Sequence, residues 1–389
     1  MKIRKIKEGE EAQASKVEAI AFVGSVPEKP EHSGNTWGCF SDDGTLSSVV
    51  TDWPFTVYYN GKPVKMGGIG GVASLPESRM LGGVRSLFSE ILRGDIENGV
   101  VFSALYPFSH TYYRRYGYEV CGGGNIVSFP SEALAKYRHA SADIRMVETQ
   151  EDALRLSPLN EKFAKNFNMS VRRDEFSWGR IMHGDYKNAE CYRYVLEKKG
   201  EPISYVFFKP KPVDGETQLY ISDFAYDGKR GLHSLLGLLY KLSPQYSKIT
   251  MELPPNFPID SLIEEPYDIE AASPGFSRWM ARLLDVEAGL KGLCCPDGSW
   301  KCSIRLRDDF LSFNSGIYQL THDDGGLEVI KAKAESADIS LSIQSLTQLC
   351  LGYNTLDMTL LRDDAELFGN YEILNKLFTK RPIYMIDKF

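Results

Sequence analysis

Between Met66 and Leu75 the chain reads MGGIGGVASL, with glycine at positions 67, 68, 70 and 71. Small and β-branched residues suit a strand, but four glycines weaken one that only has to pack, because they bring no side chain and cost backbone entropy. Such a strand needs a bulge or a ligand lying close to its backbone. Pro76 ends it, and Val84, Leu87, Phe88, Ile91 and Leu92 recur at helical spacing, predicting a helix from about Gly82. The first turn of that helix offers unpaired backbone N–H groups and the positive end of its dipole, with Arg79 and Arg85 beside them, a suitable pyrophosphate site. There is no Gly-Lys-Ser/Thr, and no GxGxxG after a strand with an acidic residue about 20 positions on, so the common nucleotide loops are excluded.

The rest of the chain divides around this run. Residues 1 to 7 alternate as a strand, and Glu10 to Val23 reads as an amphipathic helix. A loop rich in Pro, Gly and Ser from Phe22 to Phe40 carries Trp37, which either anchors the loop or stacks on a ligand. Thr45 to Tyr59 and Lys62 to Leu75 flank Asn60-Gly61, a strong hairpin signal. Val100 to Tyr106 is apolar on both faces, so strand, helix and strand form a right-handed crossover, with a short helix over Ser109 to Tyr116 after it. Around Asp143 the order restarts: strand Ile144 to Val147, helix Gln150 to Phe163, a hairpin about Lys199-Gly200, strand Leu219 to Tyr226 and helix Leu232 to Leu242. This copy lacks the Gly-rich strand and the double glycine, and is expected to carry no cofactor. From about Phe276 a helix over Trp279 to Val286 precedes strands Trp300 to Leu306, Gly316 to His322 and Leu327 to Ala332, then helices over Ser342 to Leu351 and around Leu361 to Leu377. The tail from Pro382 to Phe389 reads as a buried strand, unusual for a terminus, which normally frays. The expected fold class is α/β (α+β), in regions 1–141, 142–275 and 276–389.

A formal net charge of -7 argues against a general nucleic-acid binder and fits a cationic substrate weakly. No stretch has the apolar length of a signal peptide or a membrane span, so no membrane association is expected. The seven cysteines are scattered, which suits reduced thiols in the cytoplasm. Cys294, Cys295 and Cys302 have no histidine at ligand spacing, and adjacent cysteines are poor tetrahedral ligands, so no metal is expected.

Arg79-Met80-Leu81-Gly82-Gly83-Val84, directly after a strand, resembles motif A of the GNAT (Gcn5-related N-acetyltransferase) family, Arg/Gln-x-x-Gly-x-Gly/Ala, with Val84 where a small residue is usual. Together with the segments TYYRRYGYE and DISLSIQSLTQLCLGY (338–353), the order and length of the whole chain resemble the enhanced intracellular survival (Eis) family of acetyltransferases. That resemblance implies a catalytic GNAT domain with splayed strands, a second GNAT-like domain, a C-terminal domain similar to sterol carrier protein 2, and assembly as a homo-hexamer. It also implies acetyl-CoA as co-substrate and direct transfer of acetyl to an amine: an aminoglycoside, another small amine or a protein lysine.

Carried over residue by residue, the resemblance places the thioester and pantetheine on Gly71, Val72, Ala73 and Ser74, and the pyrophosphate on Arg79 to Arg85. Phe108 and Ser109 would flank the pantetheine. Tyr113, from Tyr113-Arg114-Arg115-Tyr116-Gly117-Tyr118, would be the general acid, and the terminal carboxylate of Phe389 the base. Trp37 would contact substrate. Acidic residues that face aminoglycosides in family members are replaced by Lys388 and Gly24, an arrangement that argues against a polycation. The rival expectation is a lipid- or apolar-ligand-binding protein using the sterol-carrier-like domain, its GNAT domains vestigial.

Overall fold

The computed structural model describes residues 1–25, 34–184, 186–188, 190–213, 215–271 and 278–389. The first region comprises β1 (Lys2–Lys5), α1 (Glu11–Phe22), β2 (Thr36–Phe40), β3 (Leu46–Tyr59), β4 (Lys62–Ser74), α2 (Gly83–Glu97), β5 (Val100–Leu105), α3 (His110–Arg114) and β6 (Glu119–Val120). The second holds β7 (Asn125–Pro130), β8 (Asp143–Met146), α4 (Gln150–Leu154), α5 (Ser157–Ala164), α6 (Glu175–Ile181), β9 (Tyr192–Lys198), β10 (Glu201–Val213), β11 (Glu216–Tyr226), α7 (Gly228–Lys241), β12 (Lys248–Leu253), α8 (Ile259–Leu262) and β13 (Glu270–Ala271). The third runs through β14 (Met280–Leu283), α9 (Val286–Lys291), β15 (Trp300–Arg307), β16 (Gly316–Asp323), β17 (Gly326–Ala332), β18 (Ile339–Ser342), α10 (Ile343–Leu351), α11 (Leu356–Thr359), β19 (Ala365–Leu367) and α12 (Tyr371–Leu377).

Three mixed sheets result, in the orders β1-β2-β3-β4-β5-β14-β6, β13-β7-β12-β11-β10-β9-β8 and β17-β16-β15-β18-β19. The expected α/β class is borne out. The two hairpins sit where expected: Asn60 and Gly61 both take positive φ, as do Lys199 and Gly200, which suits the twist of tight two-residue turns.

Four readings are corrected, the last being the tail. Trp279 to Val286 is not a helix. Met280–Leu283 is a strand buried along its whole length between β5 and β6, so tertiary pairing overrides a pattern that was locally ambiguous. The helix around Leu361 to Leu377 is instead β19 and α12, with Asn370 in the left-handed conformation starting α12. Thr36–Phe40, including Trp37, is a strand paired to β1 and β3 and not a loop. The expected boundary at 275/276 and residues 26–33 of the expected loop lie outside the described residues.

The C-terminal tail is buried without being a strand. Its main chain makes one parallel bridge, Asn168 to Ile383. Asn168 N donates to Pro382 O at 2.9 Å, and Tyr384 N donates back to Asn168 O at 3.0 Å. Ile383, Tyr384 and Met385 are all buried. Each such side chain contributes about 1.5–3 kcal/mol, enough to offset the roughly 1–2 kcal/mol of backbone entropy lost on ordering a residue. This is why the last residues do not fray.

The core is shared between regions. One cluster joins Phe55, Tyr59, Met66 and Phe102 of the first sheet to Trp300, Ile304, Leu346 and Leu349 of the third region, with Ile383 and Met385 of the tail. A second cluster fills the middle region and takes Tyr384 from the tail.

Candidate active site

The site begins where two strands part. β4 and β5 pair in parallel from Lys65/Val100 to Ile69/Leu105, and no pair follows. Beyond Leu105, β4 continues alone through Gly70 to Ser74 on that side. On its other side the β3 register jumps from Val49/Ala73 to Thr51/Gly70, so β4 carries one extra residue there, a β-bulge at Gly71-Val72. Gly71 has φ +57°, and a Cβ there would lie 2.7 Å from Glu18 Oε1 and 3.2 Å from Thr51 Oγ1. Only glycine meets both demands.

The next turn leads into α2. Gly82, at φ +86°, precedes the helix with no side chain capping it. The first-turn N–H groups therefore point outward without an internal partner. Gly83 is held close to the sheet, since a Cβ would meet Ser48 Oγ at 2.9 Å. Met80 also has positive φ, and Met80 and Leu81 stand exposed. Neither Arg79 nor Arg85 has an ion-pair partner among the described residues, and Arg85 lies over the Phe310 ring at 5.1 Å.

A cavity of ≈ 690 Å³ connects these features, lined by Val72, Ala73, Ser74, Arg79, Met80, Gly82 to Arg85, Phe108, Tyr112, Arg115 and Tyr116. Backbone donors, an open helix start and unpaired guanidinium groups are the donor set a coenzyme's pyrophosphate and amides require. Ser109 does not line this cavity. It caps α3, its hydroxyl accepting from Tyr112 N at 3.3 Å.

Tyr113 is buried behind that lining, packed by Phe88, Phe108, Tyr112 and Tyr118 at ring separations of 6.2, 5.4, 5.1 and 6.4 Å. Burial, then the neighbouring phenols of Tyr112 and Tyr116, push its pKa well above the ordinary tyrosine value, so it stays protonated. Tyr112 and Tyr116 reach the cavity directly, their hydroxyls 3.4 Å apart. The tyrosine segment is fixed from outside its own sequence neighbourhood. The fully buried Arg282 of β14 donates to the Tyr116 carbonyl and pairs with the fully buried Asp308. Gly117, at φ +84°, leaves the room that Arg282 occupies.

Phe389 lies against β4 at Gly68 and Gly70 and does not line this cavity. Its ring sits 5.1 Å from that of Phe55 and 5.5 Å from that of Tyr106. Its carboxyl carbon would be 3.3 Å from a Cβ on Gly70. Arg173 clamps the tail through Asp387 at 2.9 Å, and Arg180 Nη2 donates to Lys388 O at 3.0 Å.

Trp37 lines neither this cavity nor the tail. It is half-buried in β2 with Lys5 Nζ 5.7 Å above its ring. Glu18 was missed by sequence reasoning. It is a carboxylate on α1 pressed against Gly71, and burial raises its pKa. A single Glu on a helix face gives no signal until the helix is docked on β4.

Sequence-family profiles match residues 2–121 and residues 170–283 as acetyltransferase (GNAT) domains, and residues 286–386 as a sterol carrier protein domain. The chain is a tandem GNAT acetyltransferase with a sterol carrier domain. GNAT acetyltransferases use acetyl-CoA as co-substrate and act on amines, so the expected architecture and enzyme class are borne out. The profile of the second GNAT domain ends with β14, the strand that completes the first sheet. The acetyltransferase shares its whole fold with a GCN5-related N-acetyltransferase from Anabaena variabilis (22% identity, TM-score 0.88, all of both chains covered). It is equally alike to a probable N-acyltransferase from Enterococcus faecalis (22%, 0.87, 100% of this chain and 99% of that one). Eis1 from Mycobacterium abscessus has the same three-part fold (19%, 0.83, all of both chains). No curated protein sequence matches the chain. Among the described residues no helix is long and apolar enough to cross a membrane.

Proposed function

We propose that the protein is an Eis-type N-acetyltransferase that transfers acetyl from acetyl-CoA directly to an amine, with the chemistry in the first GNAT domain. The observation that carries this reading is the parting of β4 from β5 directly beside the uncapped start of α2. The second GNAT domain has a comparable end to its parallel pairing, at Ile221/Met251. There Tyr384 is buried and its hydroxyl donates to Glu252 O at 3.0 Å, so the tail borders the gap in the second domain.

When bound, the coenzyme supplies a thioester whose C–S bond breaks as the C–N bond forms. Arg79, Arg85 and the N–H groups from Gly82 to Val84 hold the pyrophosphate, with Met80 and Leu81 completing the turn. The backbone of Gly71 to Ser74 holds the carbonyl and amides, and Phe108, with Ser109 fixing α3 behind it, borders them. An ammonium must lose its proton before its nitrogen can attack, and two carboxylates stand ready, that of Phe389 at Gly70 and that of Glu18 at Gly71. Tyr113 keeps its proton at neutral pH and gives it to the departing sulfur. We assign Trp37 to supporting the β1–β2 edge instead of substrate contact. Cytoplasmic location and a homo-hexamer belong to this reading, as do the domain limits 1–141, 142–275 and 276–389.

The deciding experiment is thiol release from acetyl-CoA with a panel of amines, run on wild type, Tyr113→Phe and a chain extended beyond Phe389. Tyr113→Phe should lose about 10²-fold or more in turnover with coenzyme affinity kept, while Tyr112→Phe should lose much less. The extended chain should bind acetyl-CoA and be inactive. Full activity in both would remove these residues from the chemistry. The lipid-carrier alternative is less favoured because Trp300, Ile304, Leu346 and Leu349 of the sterol carrier domain are buried in one core with the first sheet.

A further inference from the structure

The tail that delivers Phe389 to β4 also forms one wall of a second cavity, of ≈ 670 Å³, which Phe55 borders on the first-domain side. A smaller cavity of ≈ 360 Å³ shares Lys209, Lys211 and Lys388 with it. Lys209 and Lys211 are two apart on β10 and so point to the same face of the sheet. β9 stops pairing at Phe208, so this end of β10 has a free edge. Lysines and prolines there, as in Lys209-Pro210-Lys211-Pro212, serve ordinarily to keep a sheet edge from aggregating. That account does not explain why two more cations, Arg180 from α6 and Lys388 from the tail, converge on the same space.

None of these four cations has an ion-pair partner among the described residues. Arg180 lies over the Trp53 ring at 5.0 Å and Lys211 over Tyr220 at 3.8 Å. The cavity's acids are largely committed. Asp223 and Asp387 both pair with the buried Arg173, at 2.6 and 2.9 Å. Glu190 sits at the rim near Gly184, and Glu252, mostly buried, is felt by Lys388 but does not pair with it. Burial and the charges of Lys388 and Lys209 lower the pKa of Lys211, as expected of ammonium groups crowded without a counter-ion.

We infer that this cavity receives the acceptor, and that it selects amines bearing a second, anionic group, a carboxylate or a phosphate, over polycations. The inference rests on the acetyltransferase reading and adds its substrate class. The anionic end would sit among Lys209, Lys211 and Lys388, and the amine would reach past Phe55 to the Phe389 carboxylate. A polycation would meet like charge at the mouth.

The test compares matched acceptors with the full-length protein: lysine against cadaverine, which lacks only the carboxylate, phosphoethanolamine against ethanolamine, and kanamycin as a polycation. The anionic member of at least one pair should have a kcat/KM about tenfold or more above the partner that lacks the anionic group, and the better pair identifies the anion. Lys209→Glu and Lys211→Glu, at exposed positions where thermal stability should be kept, should each collapse that ratio through KM. Cadaverine, ethanolamine and kanamycin equalling or exceeding the anionic amines would overturn the inference, as would ratios unmoved in both variants. If no amine releases thiol, the acetyltransferase reading fails by itself. Calorimetric titration of phosphoethanolamine then decides the cavity: binding that Lys211→Glu abolishes upholds an anion site, and no binding to wild type refutes it.

Discussion

At the scale of single residues the site depends on positions where a side chain is not allowed. Gly71→Ala would combine a left-handed φ with a methyl 2.7 Å from Glu18 Oε1, a strain of about 1–3 kcal/mol before any clash. Its acetyl-CoA affinity, read by titration calorimetry, should fall at least about tenfold, because the bulge that frees the backbone of Val72 would shift. Glu18→Gln separates the two carboxylates: a fall in turnover that is greatest at neutral pH and above, where Glu18 is ionised, and that shrinks as pH falls would mark Glu18 as sharing the base role with Phe389. A second residue-scale feature lies beneath the same strand. Asp52 Oδ1 and Asp95 Oδ2 are buried without hydrogen-bond partners, both within 3 Å of where a Cβ on Gly67 would be. Burial lifts Asp52 to about 6. Burial and repulsion from Asp52 lift Asp95 to about 8. The folded protein thus keeps protons that the unfolded chain has already released, so stability falls as pH rises from the ordinary carboxylate range through about 8. Asp95→Asn should remove the Asp95 share of that fall, and its thermal midpoint should gain on wild type increasingly up to about pH 8. A gap that stayed constant with pH would mean that the pair does not hold a proton.

At the scale of elements, the tail is a strap tied down by one buried arginine. Arg173 is paired with Asp223 and Asp387, and its side chain is only 4% exposed. Removing one member of such a cluster leaves uncompensated buried charge, so Arg173→Met should cost about 3–5 kcal/mol of stability. It should also free the terminus: carboxypeptidase should remove Phe389 from the variant much faster than from wild type, with activity falling in step. The tail's burial was legible in the sequence PIYMIDKF, because so apolar an end must be covered. Its conformation was not, because its hydrogen bonds go to Asn168 and Ser170, over two hundred positions away in sequence. Sequence distance likewise hid β14, whose four residues pair with β5 on one edge while Met280 and Ala281 pair with β6 on the other.

At the scale of the molecule, the first sheet is completed by a strand that follows the whole second region in sequence. β14 lies between β5 and β6, and its Arg282 holds the tyrosine segment against Asp308 of the third region. From α10, Gln348 Nε2 donates to Val120 O at 2.6 Å and Thr347 Oγ1 accepts from Leu283 N at 3.0 Å. Regions bound this way should unfold together. Urea denaturation followed by tryptophan fluorescence and by far-ultraviolet dichroism should give coincident transitions, and two separated transitions would show that the regions fold independently.

The sequence alone determined the local elements from which the proposed coenzyme site is built: the Gly-rich strand, the helix start at Gly82, both hairpins and the tyrosine segment are written in contiguous residues, since turn chemistry and helical periodicity act over a few positions. Only the tertiary structure decided which distant parts complete the site. Glu18 comes to Gly71 by docking of a helix, Phe389 to Gly70 by a buried strap, and four cations to one cavity from a strand edge, a helix and the tail. No short-range pattern encodes those meetings, because they follow from the packing of shared apolar cores in which sequence separation carries no weight.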